Sequence, residues 1–206
     1  MLLEVVMVEG FRFRPLKKTD CKEAAVMRFE SQEWGFLPSM GTAFLAELFK
    51  ATCDSKWGFG MVCEDPKGRI AGFVYATTHL QKYYIDILLR RGIVLLFRAF
   101  LRLLRQPRLV SGLLQYLSYP GRVPYNHIKA EWLTMVIRRE YRGKGIGKRI
   151  TISLIDEYRR RGVSQFRSTV PSNNKISCLI HDSFGFQLLG KLKLHGDCIN
   201  IYAYNT

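Results

Sequence analysis

The order of helix and strand signals in this chain predicts an α/β protein with a mixed (α+β) sheet. About seven strands form a central sheet flanked by helices, and a helical insertion separates the third and fourth strands. Three observations carry this. Strand-like runs recur at 11–14, 57–63, 70–77, 131–137, 165–170, 187–194 and 199–204. Two pairs of them read as hairpins, joined by the turns EDPKG at 64–68 and HGD at 195–197. Between the hairpins lies a strand–helix–strand unit over 131–170, which gives a sheet of mixed direction rather than a doubly wound parallel one. With 206 residues and 48% hydrophobic residues, the chain suits a single domain, 1–206, with a real core.

The elements follow in order. Phe11 to Arg14 alternates apolar and basic residues up to Pro15. Thr19-Asp20 opens a helix over CKEAAVMRFESQ, and Phe44, Leu45, Leu48 and Phe49 mark one face of a second helix over 42–52. After the first hairpin the character changes. Residues 83–119 are helical, apolar and basic, and Pro120, Gly121 and Pro124 are expected to close them. The helix after the central strand presents Ile146, Ile150, Leu154, Ile155 and Tyr158 to a core and stops at Gly162. A last helix over 174–184 ends at Gly185.

Thirty-two Lys and Arg against 17 Asp and Glu give a formal charge of +15. Such a field draws anions and repels polycations. Five cysteines without C-x-x-C spacing argue against a zinc site or disulfide framework and read as small buried hydrophobes. The start, MLLEVVMVEG, carries Glu4 and Glu9 and lacks the pattern of a secretion signal, and no apolar run reaches membrane-span length. A cytoplasmic location is expected. Nucleic acid is disfavoured, because basic and aromatic residues interleave only at FRFR, 11–14.

The chemistry concentrates at EYRGKGIGK, 140–148. Gly143, Gly145 and Gly147 sit where a strand gives way to a helix, so backbone N–H groups and a helix dipole face any ligand there. Arg142, Lys144, Lys148 and Arg149 add positive charge. The segment is built to cradle a pyrophosphate. A nucleotide P-loop would need Gly at 142 and Ser or Thr at 149, where both residues are Arg. A dinucleotide fingerprint from Gly143 would need Gly at 148, where Lys stands.

The remaining pattern, Arg142-x-x-Gly145-x-Gly147, resembles the GNAT superfamily of acetyl-CoA-dependent N-acetyltransferases. The likeness extends upstream through LTMVIRREY and downstream through Asn174, Ser177, Gly185 and Phe186. It implies acetyl-CoA as cosubstrate and no metal. By position, Ile137 and Arg139 would meet the pantetheine arm, and Arg138 between them is a further cofactor-binding candidate. Arg142, Gly143, Lys144, Gly145, Ile146, Gly147 and Lys148 would hold the phosphates, and Asn174 would make a further polar contact while also suiting a helix cap. Glu131, at the head of the central strand, is the candidate general base, and the alternative is a strand-end Glu paired with a surface Lys. His181 stands where the family often carries a tyrosine acid. It could protonate the leaving thiolate or be a plain helix-surface histidine.

The implied reaction is acetylation of a primary amine. An amino sugar, free or nucleotide-linked, suits the cationic chain as acceptor, and a protein or peptide amine is the alternative. A non-catalytic acyl-CoA-binding or regulatory module is the competing class. The insertion, about 83–120, carries Arg91, Arg98, Arg102 and Arg105 on one helical stripe with apolar residues almost everywhere else. Three roles stay open for 91–117: a wall of the acceptor site, a homodimer interface, or a contact with an anionic membrane or lipid-linked substrate.

Overall fold

The computed structural model describes residues 10–31, 36–194 and 196–206. The N-terminal stretch with Glu4 and Glu9, and the tip residue His195, lie outside them. Seven strands form one sheet: β1 Arg12–Pro15, β2 Gly58–Glu64, β3 Ile70–Thr77, β4 Ala130–Ile137, β5 Gln165–Pro171, β6 Gln187–Leu194 and β7 Asp197–Asn205. Their spatial order is β1-β2-β3-β4-β5-β7-β6. Every neighbour pair is antiparallel except β4 and β5.

The helices are α1 Cys21–Glu30, α2 Thr42–Asp54, α3 Leu80–Arg105, α4 Val110–Arg122, α5 Ile146–Arg160 and α6 Lys175–Ser183. Helix α5 covers one face of the sheet through Ile146, Ile150, Leu154 and Tyr158. It seats closely because Gly72 lies beneath it: a Cβ there would fall 2.5 Å from Ile137 Cδ1 and 3.1 Å from Ile150 Cδ1. The opposite face is covered by α1 and α2 through Ala24, Ala25, Met27, Leu45 and Phe49.

The insertion is longer than its sequence signal. Helix α3 begins at Leu80, where His79 Nδ1 accepts from the Lys82 N–H, and α4 runs through Pro120 to Arg122 instead of ending there. Proline removes one donor but does not halt a helix already in its last turn.

Helix α3 also inverts the usual arrangement of an amphipathic helix. Tyr83, Ile87, Leu95 and Ala99 face the protein, and Arg91 and Arg102 of the arginine stripe share that side, while Arg98 and Arg105 are exposed. Arg91 bonds Asp54 at 2.8 Å and Glu47 at 2.9 Å on α2, and Arg102 Nε donates to the Ser39 carbonyl at 2.9 Å. Outward-facing Leu89, Ile93, Leu96, Phe97, Phe100 and Leu104 are all more than half exposed. At ~100° per residue they centre roughly opposite Arg91 and Arg102.

The cysteines are all free. Cys21 and Cys63 are buried as expected, but Cys198 is exposed, and Cys53 and Cys178 lie between.

Candidate active site

The site begins with a splay. Strands β4 and β5 pair only through Ala130↔Phe166, Glu131↔Arg167 and Trp132↔Ser168. Beyond that point β4 continues to Ile137 without β5, so its backbone groups on that edge are open to a ligand. A bulge adds to this. Tyr75 pairs with Thr134 but Ala76 pairs with Trp132, so Leu133 is the extra residue. A cleft of about 130 Å³ opens there between Leu133, Thr134 and Met135 on β4 and Thr169, Val170 and Pro171 on β5. Asn174, Ser177 and His181 reach it from α6.

Along β4 the cleft gives way to a basic groove of about 400 Å³, lined by Ile137, Arg138, Arg139, Glu140 and Arg142 with Met27, Glu30 and Ser31 of α1. The turn from Gly143 to Gly145 follows. Gly143 and Gly145 hold φ of +77° and +76°, where a β-carbon is strained, and nothing lies within 4 Å of where one would stand. Gly145 caps α5 without any side-chain hydrogen bond, leaving the first N–H groups for a ligand. These features fit an anionic pyrophosphate.

Other expected phosphate and arm residues divide by environment. Arg142, Lys144 and Lys148 are exposed beside the turn, and the Lys144 ammonium stands 5.2 Å from the Tyr141 ring centre. Ile146 is buried and offers only its backbone. Arg138 turns its guanidinium away, to the Ile70 carbonyl at 2.7 Å and to Glu23, which makes it a brace between β4 and α1. Asn174 caps α6, its side chain accepting from the Ser177 N–H at 3.1 Å.

On the far side of the bulge lies a second cavity of about 130 Å³ that the sequence reading missed. Five tyrosines line it: Tyr75, Tyr83, Tyr84, Tyr116 and Tyr119. Four of the five come from the insertion's helices, and one of these, Tyr83, bonds Thr52 of α2 at 2.7 Å. Burial pushes the Tyr116 hydroxyl up to about 12, and drives Tyr84 and Tyr119 well above the usual tyrosine range. These groups are therefore neutral hydrogen-bonding hydroxyls at physiological pH.

Glu131 stands in the wall of this cavity, 2% exposed. Its partner is not a surface lysine. Tyr119 donates to one carboxylate oxygen at 2.7 Å, and Arg167 Nε donates to the other at 2.7 Å. Burial raises the carboxyl above its ordinary pKa, while the Arg167 charge and the Tyr119 hydrogen bond pull it back. An arginine inside the apolar strand QFRSTV was the available signal, since a buried guanidinium needs a carboxylate.

His181 is not on the helix surface. It is 2% exposed, stacked on Trp132 with ring centres 4.9 Å apart. Nδ1 lies 2.8 Å from the Ser177 carbonyl and must carry the proton, so Nε2 accepts from the Ser168 hydroxyl at 3.0 Å. Burial lowers its pKa and keeps it neutral. The expected proton donor is thus a hydrogen-bond acceptor that fixes Ser168, another cleft residue the sequence reading passed over.

Residues 25–186 match the model of the acetyltransferase (GNAT) family. The chain belongs to that family. As a GNAT protein it is an acetyl-CoA-dependent acyltransferase. No curated protein matches the sequence. Among solved structures, the Salmonella typhimurium protein yncA with its cofactor acetyl-CoA aligns at TM-score 0.60 and 14% identity, over 96% of this chain and 94% of that one. The Escherichia coli ribosomal-protein-S18-alanine N-acetyltransferase aligns at 0.58 and 14%, over 95% and 93%. Spermidine/spermine N-acetyltransferase SpeG from Vibrio cholerae aligns at 0.58 and 14%, over 97% and 95%. These last two are named for different acceptors, so the shared fold does not decide which amine this GNAT chain uses.

Proposed function

We propose that this acetyltransferase acts on a primary amine with an uncharged, apolar or aromatic body, bound in the tyrosine-lined cavity. The observation that carries this is a shared wall. Arg28, Leu133, Thr134 and Thr169 line both the cavity and the cleft, so an amine in one faces a thioester in the other across the bulge. Among the described residues, Glu131 is the only acid in the cavity wall, and Arg167 neutralises it. That leaves little to hold a polycation. An amino sugar, with or without a nucleotide, would set its hydroxyls against Phe36, Leu45, Leu48 and Phe49, which cannot replace the lost water.

Acetyl-CoA supplies the acyl group as a thioester. The chain's own residues orient it and move one proton. Backbone groups along β4 from Leu133 to Ile137 align the arm, and the turn from Arg142 to Lys148 holds the phosphates. Tyr119 donates to Glu131, and a lone pair on its oxygen, which also meets Thr169, takes a proton from the amine as the hydroxyl passes its own to the carboxylate. Glu131 thereby acts as general base through Tyr119, and Arg167 holds the carboxylate in register. The C–N bond forms, the C–S bond breaks, and the thiolate leaves toward the cleft.

The test follows thiol release from acetyl-CoA with arylalkylamines, alkylamines, amino sugars, polyamines and peptides. Apolar amines should show kcat/KM at least about 10-fold higher than the others, the discrimination a hydrophobic pocket can give. A preference for amino sugars or peptides overturns the acceptor assignment, while loss of CoA binding overturns the site itself.

A further inference from the structure

The outward face of α3 is a continuous apolar surface on a helix about 39 Å long at 1.5 Å per residue. Ile93 is 87% exposed and Leu89 81%. Exposed Leu114 and Leu117 of α4 add to the surface. Monomeric proteins rarely leave so broad a surface to water, so something covers it.

Charge identifies the occupant. Between Asp86 and Glu131 the chain carries no acidic residue and eight basic ones, Arg90, Arg91, Arg98, Arg102, Arg105, Arg108, Arg122 and Lys129. Of these, Arg90, Arg98 and Arg105 are exposed along one flank of the apolar face, and Arg108 stands at the α3–α4 turn. A second copy of this chain would bring two such flanks together and repel. A nucleic acid would match the arginines but leave the leucines and phenylalanines wet. An anionic bilayer satisfies both sets at once: the apolar face enters the headgroup–acyl boundary and the arginines meet phosphates. Among the described residues no helix is long and apolar enough to cross a membrane, so the helix lies in the plane.

A cavity joins this face to the site. Leu88, Leu96 and Leu117, all exposed, line an apolar pocket between α3 and α4 whose deeper wall is Leu48, Tyr83, Tyr84 and Tyr116. Those four residues also wall the tyrosine cavity.

We propose that the α3–α4 insertion docks this protein on the surface of an anionic lipid bilayer, with the tyrosine cavity opening toward the lipid. The test measures binding of the full chain to phosphatidylcholine vesicles with and without about a third phosphatidylglycerol. Affinity for the anionic vesicles should be at least ~10-fold higher, fall steeply with salt, and fall at least ~10-fold in Phe97→Asp/Phe100→Asp. Calorimetry with CoA checks that the variant is folded and its transferase site intact. Absence of vesicle binding, vesicle binding unchanged in the variant, or a concentration-dependent dimer that the variant dissociates each overturns the proposal. Unchanged CoA binding in all three cases keeps the transferase reading separate.

Discussion

The unit from β4 to α5 and the insertion from α3 to α4 are built on opposite rules. In the first, around the glycine turn and the start of α5, apolar side chains point inward and basic ones outward, so Ile146, Ile150 and Leu154 are buried while Arg142, Lys144 and Lys148 meet water. In the second, Arg91 and Arg102 make polar contacts inward while Ile93, Phe97 and Leu104 face outward. The lesson is that a stripe of arginines on a helix does not by itself identify the solvent side. Asp54 and Glu47 on α2 and the Ser39 carbonyl decide it, because they offer Arg91 and Arg102 partners that water would otherwise supply.

The largest expected effect belongs to the place where the two regions meet, the contact of Tyr119 on α4 with Glu131 on β4. Glu131→Gln should lower kcat at neutral pH by about 100-fold or more, the span of general-base catalysis, with CoA affinity nearly unchanged. The loss should shrink at high pH, where free amine is abundant. Because the buried Arg167 charge then lacks a carboxylate, the variant should also lose roughly 3–5 kcal/mol of stability. Tyr119→Phe separates the two effects. It should lower kcat while leaving the Glu131–Arg167 pair and most stability in place. Wild-type kcat in both variants would break the link between insertion and chemistry. Next in size, Gly145→Val should weaken CoA binding about 10-fold, since a β-branched residue at φ +76° costs about 1–2 kcal/mol and its methyls stand where backbone meets phosphate. Calorimetry measures this directly.

Much of this was legible in the sequence because it was local. The seven strands, the first hairpin turn and the glycine turn each announce themselves within about ten residues, and the structure places these close to where the patterns put them. Glu131 could be picked out as a residue, but its partners could not. Tyr119 is 12 residues away and Arg167 is 36, and only the parallel register of β4 with β5 brings Arg167 opposite. The tyrosine cavity was illegible for the same reason, since its residues come from β3, α3 and α4. The burial of His181 was not legible because α6 is short and mostly exposed. That burial depends on Trp132, Phe186 and Tyr202, which come from three other parts of the chain.

The inverted insertion can be sharpened with two arginines on one helix. Arg91→Ala removes contacts to both Glu47 and Asp54, leaving them only Lys50 and Lys18 as ion-pair partners, so it should cost about 1–3 kcal/mol in denaturant unfolding. Arg98→Ala, at an exposed position, should stay within about 0.5 kcal/mol. Equal effects would mean that the inward contacts do not hold the helix in its orientation.

The smallest effect concerns His181, which belongs wholly to the transferase half. Its folded pKa lies below its ordinary value because burial penalises the charged ring. Above about pH 6.5 both folded and unfolded states hold it neutral, and it contributes no pH dependence. As pH falls below about 6.5 the unfolded chain binds a proton that the native ring refuses, so stability declines toward acid. The carboxylates with lowered pKa, such as Asp65 and Asp54, act in the same direction but in a more acidic window, below about pH 4. Between pH 6.5 and 5 the fall in Tm should therefore be shallower in His181→Gln than in the parent chain. Gln keeps an acceptor for the Ser168 hydroxyl, so kcat of the variant should fall less than about 10-fold, and the pH profile of kcat should show no limb belonging to this ring. A kcat loss of about 100-fold with an acid limb abolished would return His181 to the role of proton donor and require the ring to be charged at the moment of transfer, against its burial.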